Sequence, residues 1–247
     1  MEERDDTSFV KDSKIALLGT INGIVFYDWV WAFIIITIIK LVMGDSYAPF
    51  IDNNYNFMTI ILMILSSILT LVLSIVIANP SYFFKAYKKI RLSDFKFIFK
   101  CLGLMILFNY VYNFILLLCN VDIVGGNANQ SAVMDLIKTT PILSFFSMVL
   151  LAPILEEVTY RYFLYGGIAK YNRKLAIVLS GFIFMCVHAT ASFSKGMDNI
   201  FRELILLPPY MFSGMVLAYA YDKKSNLLTS TSIHALNNFI SFILCML

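Results

Sequence analysis

The sequence predicts an all-α integral membrane protein, a polytopic bundle of about seven transmembrane helices with a four-helix catalytic core. Apolar residues make up 60% of the 247-residue chain and charged residues only 14%, against about 45–50% and 25% in soluble domains. The apolar residues also fall into separate runs of about 20, the length that crosses a bilayer as a helix. Basic residues gather in alternate loops between these runs, as they do in multi-pass membrane proteins.

The apolar runs give the approximate bounds of the predicted spans: residues 22–43, 57–80, 99–119, 141–162, 175–192, 203–221 and 227–246. The stretch from Ile15 to Val25 is predicted to form an interfacial helix that leads into the first span. The first fourteen residues lack the basic start and the cleavage site of a signal peptide, so the first span is expected to stay in place.

The distribution of the basic residues predicts the orientation. Most of the 19 lysines and arginines lie before span one or after spans two, four and six: Arg4, Lys11 and Lys14; Lys85, Lys88, Lys89, Arg91, Lys96 and Lys100; Arg161, Lys170, Arg173 and Lys174; Lys223 and Lys224. The N-terminus is therefore expected in the cytoplasm and the C-terminus outside. The lipid bilayer is the expected environment, and no nucleic-acid partner is expected.

The outer loop at residues 125–130, rich in Gly and Asn, marks the expected internal boundary. It separates residues 1–139, with three spans, from residues 140–247, with four, within one integral membrane domain. Pro153 in span four and the Pro208-Pro209 pair in span six are each predicted to kink their helix, because proline removes a backbone hydrogen bond.

Polar side chains inside the last four spans form three motifs, although such residues are costly in a membrane and commonly functional. The motifs are Glu156-Glu157-x-x-x-Arg161, Phe184-x-x-x-His188 and His234-x-x-x-Asn238, and they contain both histidines of the chain. Counted along each helix from its cytoplasmic end at 1.5 Å per residue, Glu156, His188 and His234 are expected at similar depth.

Helical spacing also predicts how these side chains are directed. Glu157 and Arg161 are four residues apart and are expected to form a structural ion pair. Glu156 points about 100° away on the same helix. It is therefore expected to have a different partner and to be the free carboxylate of the site.

Such a set suits peptide hydrolysis without a serine or cysteine nucleophile. A carboxylate can act as general base for water, and an imidazole and an Asn amide can donate hydrogen bonds to an oxyanion. Zinc is a second possibility, held by Glu156, His188 and His234, although the His-Glu-x-x-His motif is absent. Helix packing through polar side chains and a proton relay between Glu156 and His188 in a transporter are two further alternatives.

The three motifs, in this order, resemble those of the CAAX protease and bacteriocin-processing family, also called the Abi family, over about residues 140–247. The resemblance implies a glutamate-dependent intramembrane endopeptidase that requires no cofactor, although an older view of the family as metalloproteases leaves zinc open. By analogy, Glu156 and His188 activate water, while His234 and Asn238 form the oxyanion hole. Glu157, Arg161 and Phe184 are then supporting residues.

The resemblance further implies a membrane-associated peptide or protein as the substrate. Relatives in bacteria are linked to peptide maturation, bacteriocin immunity and the regulation of membrane sensors. The alternative function is therefore a non-catalytic membrane regulator or immunity partner, with a sensor or a transporter as its possible partner.

Overall fold

The computed structural model describes residue 10 and residues 12–190 and 200–247, apart from the side chain of Asp28. These residues form helices and connecting turns without any β-strand. The predicted all-α bundle is confirmed. Arg4 and Lys11, which contributed to the predicted orientation, and the last two residues of the predicted span 175–192 lie outside this part of the chain.

The N-terminal helices form an antiparallel hairpin. Helix α1 (Ser13–Ile21) continues through a π-helical segment (Asn22–Trp31) into α2 (Ala32–Met43). The chain breaks at Gly44, with a φ of 55°, and enters α3 (Tyr47–Ala78), which is itself kinked at Asn54, where the φ of −131° and the ψ of 25° are not helical. Asn22 lies at the start of the π-helical segment. Its side chain donates to the Thr70 carbonyl at 3.0 Å and to Ser74 Oγ at 2.9 Å, both near the end of α3.

The remaining helices follow in chain order. They are α4 (Pro80–Phe83), α5 (Asp94–Leu118), α6 (Ala128–Thr139), α7 (Pro141–Ser144), α8 (Ala152–Glu157), α9 (Gly166–Ala169), α10 (Arg173–His188), α11 (Ile200–Ile205), α12 (Pro208–Lys224) and α13 (Leu227–Met246). Two π-helical segments, Phe145–Leu151 and Val158–Tyr165, flank α8 and join α7 to α9 in one long helix. Helix α6 was not predicted, because it is polar and begins directly after the glycine-rich turn.

By length and composition, five stretches of the described chain can cross a membrane. They are Trp29–Ala78, Asp94–Leu118, Pro141–Ala169, Ile200–Lys224 and Leu227–Met246. Six of the predicted spans overlap these stretches, since the first stretch is broken at Gly44 and Asn54 and holds two of them. The predicted span at 175–192 corresponds to α10, which has 16 residues and is shorter than the usual length of about 20.

The two proline predictions have different outcomes. Leu206 and Leu207 lie outside helix, and Pro208 is the first residue of α12. The prediction of a kink within one helix was therefore wrong here, since the proline begins a new helix, where its missing N–H costs nothing. Pro153 lies inside α8, and the π-helical turns on both sides widen the helix around it.

The loops meet at two opposite ends of the bundle. At one end, which we call the basic end, Lys224 Nζ lies 2.8 Å from Asp94 Oδ1 and the Lys88 N–H donates to Asn226 Oδ1 at 2.9 Å. At the opposite end, Arg202 donates to the carbonyls of Asp122, Val124 and Gly126. The loops after spans two and six thus share one end, as the alternation of charge predicted.

Arg161 does not belong to the basic loops with which the sequence grouped it. Its side chain is completely buried within the bundle. Arg161 is therefore the buried partner of Glu157, as the motif predicted, and not one of the loop charges.

Candidate active site

His234 on α13 lies between the two acids of the first motif. Its Nδ1 is 3.0 Å from Glu157 Oε1, and its Nε2 is 3.6 Å from Glu156 Oε2. The expectation that the two acids have different partners was therefore wrong. Both acids end α8, directly before the wider π-helical turn that starts at Val158, and both reach the same imidazole.

Glu157 and Arg161 form the ion pair that their spacing predicted. Arg161 Nε lies 3.2 Å from Glu157 Oε2, and both side chains are 0% exposed. Arg161 also donates from Nη2 to the Gly214 carbonyl at 3.2 Å, and its guanidinium carbon lies 5.0 Å from the centre of the Phe184 ring. This buried pair holds Glu157 in place, and through it the imidazole of His234.

His188 is the last residue of α10, and two aromatic rings hold its imidazole. Its ring centre lies 4.4 Å from that of Phe184 and 4.6 Å from that of Tyr210. Its Nδ1 lies 2.8 Å from the Phe184 carbonyl. A carbonyl only accepts, so this bond assigns the proton to Nδ1 and leaves Nε2 as an acceptor for water.

Phe184 lies between the two histidines, 5.7 Å from the ring of His234. Helices α10 and α12 pack closely beneath it at Gly181 and Gly214. A Cβ atom added to Gly214 would lie 2.8 Å from the Gly181 Cα, so larger residues would push the helices apart. These glycines therefore help to bring Tyr210 on α12 against His188 on α10.

Asn238 lies one turn after His234 on the same face of α13, as the spacing predicted. Its Nδ2 donates to the Met148 carbonyl at 2.9 Å, in the π-helical segment before α8. An Asn amide carries a second N–H. In this geometry one donor anchors α13 to that segment, and the second N–H is available for other acceptors.

Sequence reasoning missed Tyr210, which stacks on His188. Its side chain also interacts with Asn127 and Asn129, where α6 begins. The signal that pointed to it was the Pro208-Pro209 pair, which is typical of a helix start. A helix start at Pro208 places Tyr210 in the first turn of α12, next to the end of α10.

The arrangement of the possible metal ligands bears on the zinc alternative. In the described part of the chain, no three His, Cys, Asp or Glu side chains are grouped so that they could hold a metal ion. Both nitrogens of His234 face carboxylates, and Nδ1 of His188 is bonded to a carbonyl. As arranged, Glu156, His188 and His234 do not fit a three-ligand zinc site.

Part of the chain is similar to a known protein family. Residues 138–240 match the family described as type II CAAX prenyl endopeptidase Rce1-like. Over this region, which is less than half of the chain, the protein is similar to the CAAX protease family. The UPF0177 protein YxdF of Lactococcus lactis subsp. lactis (strain IL1403) is a distant relative, 24% identical over 145 residues that cover 58% of this chain and 73% of that protein. No solved structure matches significantly.

All three motifs lie within the segment that matches the CAAX protease family. The match begins at Lys138, shortly before α7, and ends at Ile240 in α13. It thus includes α8, α10 and the part of α13 that carries His234 and Asn238. The family is one of membrane-embedded endopeptidases, whose substrates are membrane-associated.

Proposed function

We propose that this protein is an intramembrane endopeptidase that hydrolyses a peptide bond in a membrane-associated peptide or protein, with water activated by Glu156. The observation that supports this most is the position of the Glu156 carboxylate. Its Oε2 is buried without a hydrogen-bond partner, 3.6 Å from His234, while the side chain as a whole remains 23% exposed. A water that reaches this carboxylate would satisfy that acceptor, whereas Glu157 beside it is fully buried and already paired with Arg161.

The proton balance assigns a role to each group. Glu156 takes a proton from water, His188 Nε2 helps to orient that water, and the hydroxide adds to the carbonyl carbon. As an imidazolium between the two carboxylates, His234 has an N–H at both nitrogens, and the resulting oxyanion accepts hydrogen bonds from its Nε2 and from the second N–H of Asn238. Glu156 then passes its proton to the amine nitrogen, and the C–N bond breaks.

Glu157 and Arg161 act through His234. The Glu157 carboxylate accepts from Nδ1 of His234, which directs Nε2 towards Glu156 and the substrate. Because Glu157 is fully buried and paired with Arg161, it is suited to orienting the imidazole. Phe184 and Tyr210 hold the imidazole of His188 in place by packing against its ring.

A degenerate library of apolar peptides in detergent tests this proposal directly. We expect the purified protein to generate new peptide termini, seen by mass spectrometry, and to do so equally well in EDTA, since the proposed reaction uses no metal. Loss of cleavage in EDTA with recovery on adding zinc would contradict water activation by Glu156 alone. No cleavage, with an unchanged cellular phenotype of Glu156→Gln, would favour a non-catalytic regulator or immunity partner.

We further propose that the basic end faces the cytoplasm, because basic loops are retained there. Cys119 is exposed and follows α5, at the opposite end. In a variant that keeps only this cysteine, a membrane-impermeant maleimide should label intact cells. A cysteine-free variant with Lys89→Cys should react only after permeabilisation, and the reverse pattern would invert the orientation.

A further inference from the structure

The proposed site is closed towards the basic end. The long helix that carries Glu156 continues in that direction through Arg161 and Tyr165, both 0% exposed. Tyr221 packs against Tyr165 with ring centres 5.8 Å apart and is also 0% exposed. Tyr165 in turn donates to Asp222. A peptide therefore has no path to Glu156 through these side chains.

Towards the opposite end, a cavity of about 700 Å³ lies between α5, α6 and α13. It is partly open, and its lining combines amide, hydroxyl and apolar side chains with one charged side chain, Lys138. Among the other lining residues are Asn109, Gln130, Met134, Ser241, Leu244 and Cys245.

This cavity continues the face of α13 that carries the site. His234, Asn238, Ser241 and Cys245 follow one another at intervals of four, three and four residues, which places them on one helical face. Ser241 is three residues beyond Asn238, about 4.5 Å along the helix axis. A chain lying in the cavity along α13 would therefore have its end within one helical turn of Asn238 on the same face.

The polar groups of the lining suit a peptide backbone. Asn109 Oδ1 accepts from Asn113 at 2.8 Å, which leaves the Asn109 amide hydrogens free to donate. An extended peptide in a membrane needs partners for its N–H and C=O groups, and amide side chains supply both donors and acceptors. Met134 and Leu244 supply apolar contacts for its side chains.

We propose that this cavity is the substrate-binding groove of the endopeptidase, an inference that rests on the function proposed above. Its occupant is an extended, apolar peptide segment that approaches from the end opposite the basic loops. With the basic end in the cytoplasm, the groove takes membrane peptides presented from the outer side.

A native cysteine in the groove provides the test. The test variant keeps only Cys245, the control keeps only the exposed Cys119, and both carry Glu156→Gln so that peptide binds without being cut. The probe is a peptide of leucine and alanine with lysine at both ends. At ten times its dissociation constant, it should slow maleimide labelling of Cys245 about tenfold, since only about a tenth of the protein is then free. Labelling of Cys119 should not change.

Blocking the groove is a second, independent measurement. Ser241 is exposed, so Ser241→Trp should fold normally, abolish the protection of Cys245 and raise KM for cleaved peptides. Ile243→Trp, at an exposed position of α13 outside the cavity, should do neither. Unprotected Cys245 together with normal cleavage by Ser241→Trp would overturn the groove and leave the hydrolase intact. Protected Cys245 in a protein that cleaves nothing would overturn the hydrolase and leave the groove. Protection by added lipid in place of peptide would assign the cavity to lipid and overturn the proposal.

Discussion

Replacing Glu156 by Gln is expected to lower kcat by about 10²- to 10⁴-fold, the range for loss of a general base. The amide has nearly the shape of the carboxylate but cannot take a proton from water. KM should change little, because the proposed peptide contacts lie along α13. The measurement is the rate of cleavage of a single peptide selected from the library, together with thermal unfolding in detergent.

A matched control separates lost chemistry from lost structure. Glu203 is also buried, but it accepts the N–H of Ala128 at the start of α6 and lies outside the three motifs. Glu203→Gln should retain a kcat close to that of the wild type. If Glu156→Gln cleaves as fast as Glu203→Gln, Glu156 does not activate the water.

Arg161→Met is expected to destabilise the fold by about 3–5 kcal/mol, because it leaves the Glu157 charge buried without its partner. The substitution also removes the bond to the Gly214 carbonyl and the guanidinium that packs on Phe184. The free energy of unfolding in a denaturing detergent measures the effect. Activity at low temperature should fall as well, since Glu157 and Phe184 position the two histidines.

Two comparisons make this prediction specific. Lys224→Met breaks a partly exposed ion pair with Asp94, whose side chains are 31% and 13% exposed, and should cost only about 0–1 kcal/mol. The double variant Arg161→Met with Glu157→Gln should be more stable than Arg161→Met alone, since no unpaired charge remains. Equal loss in Arg161→Met and Lys224→Met would show that burial of the pair contributes nothing.

The fold was predictable where one strong physical constraint acts. Runs of about 20 apolar residues have few alternatives to a membrane helix, and most predicted bounds are close to the observed helices. The breaks at Gly44 and Asn54 and the polar helix α6 depend on local backbone conformation. None of these has a hydropathy signal, so hydropathy gave only the part of α3 after Asn54 and missed its first turns and α6.

The candidate site was predictable in its composition but not in its contacts. Two histidines and two acids in membrane spans are conspicuous in a sequence, and the structure brings Glu156, Glu157 and His234 together. The 100° step between Glu156 and Glu157 assigned them different partners, because it did not allow for one imidazole that presents a different nitrogen to each acid. Tyr210 carries no charge, and its only signal in the sequence was the Pro208-Pro209 pair before it, so its packing against His188 is known only from the structure.

The central claim is that Glu156 and His188 act on the same water, and a double-mutant cycle in kcat tests it most directly. His188→Phe keeps a ring between Phe184 and Tyr210 but removes the Nε2 acceptor. We expect each single variant to lose most of the activity and the double variant to lose little more, since residues that act as one unit are not additive. Fully multiplicative losses, or a His188→Phe protein with wild-type kcat, would contradict the account.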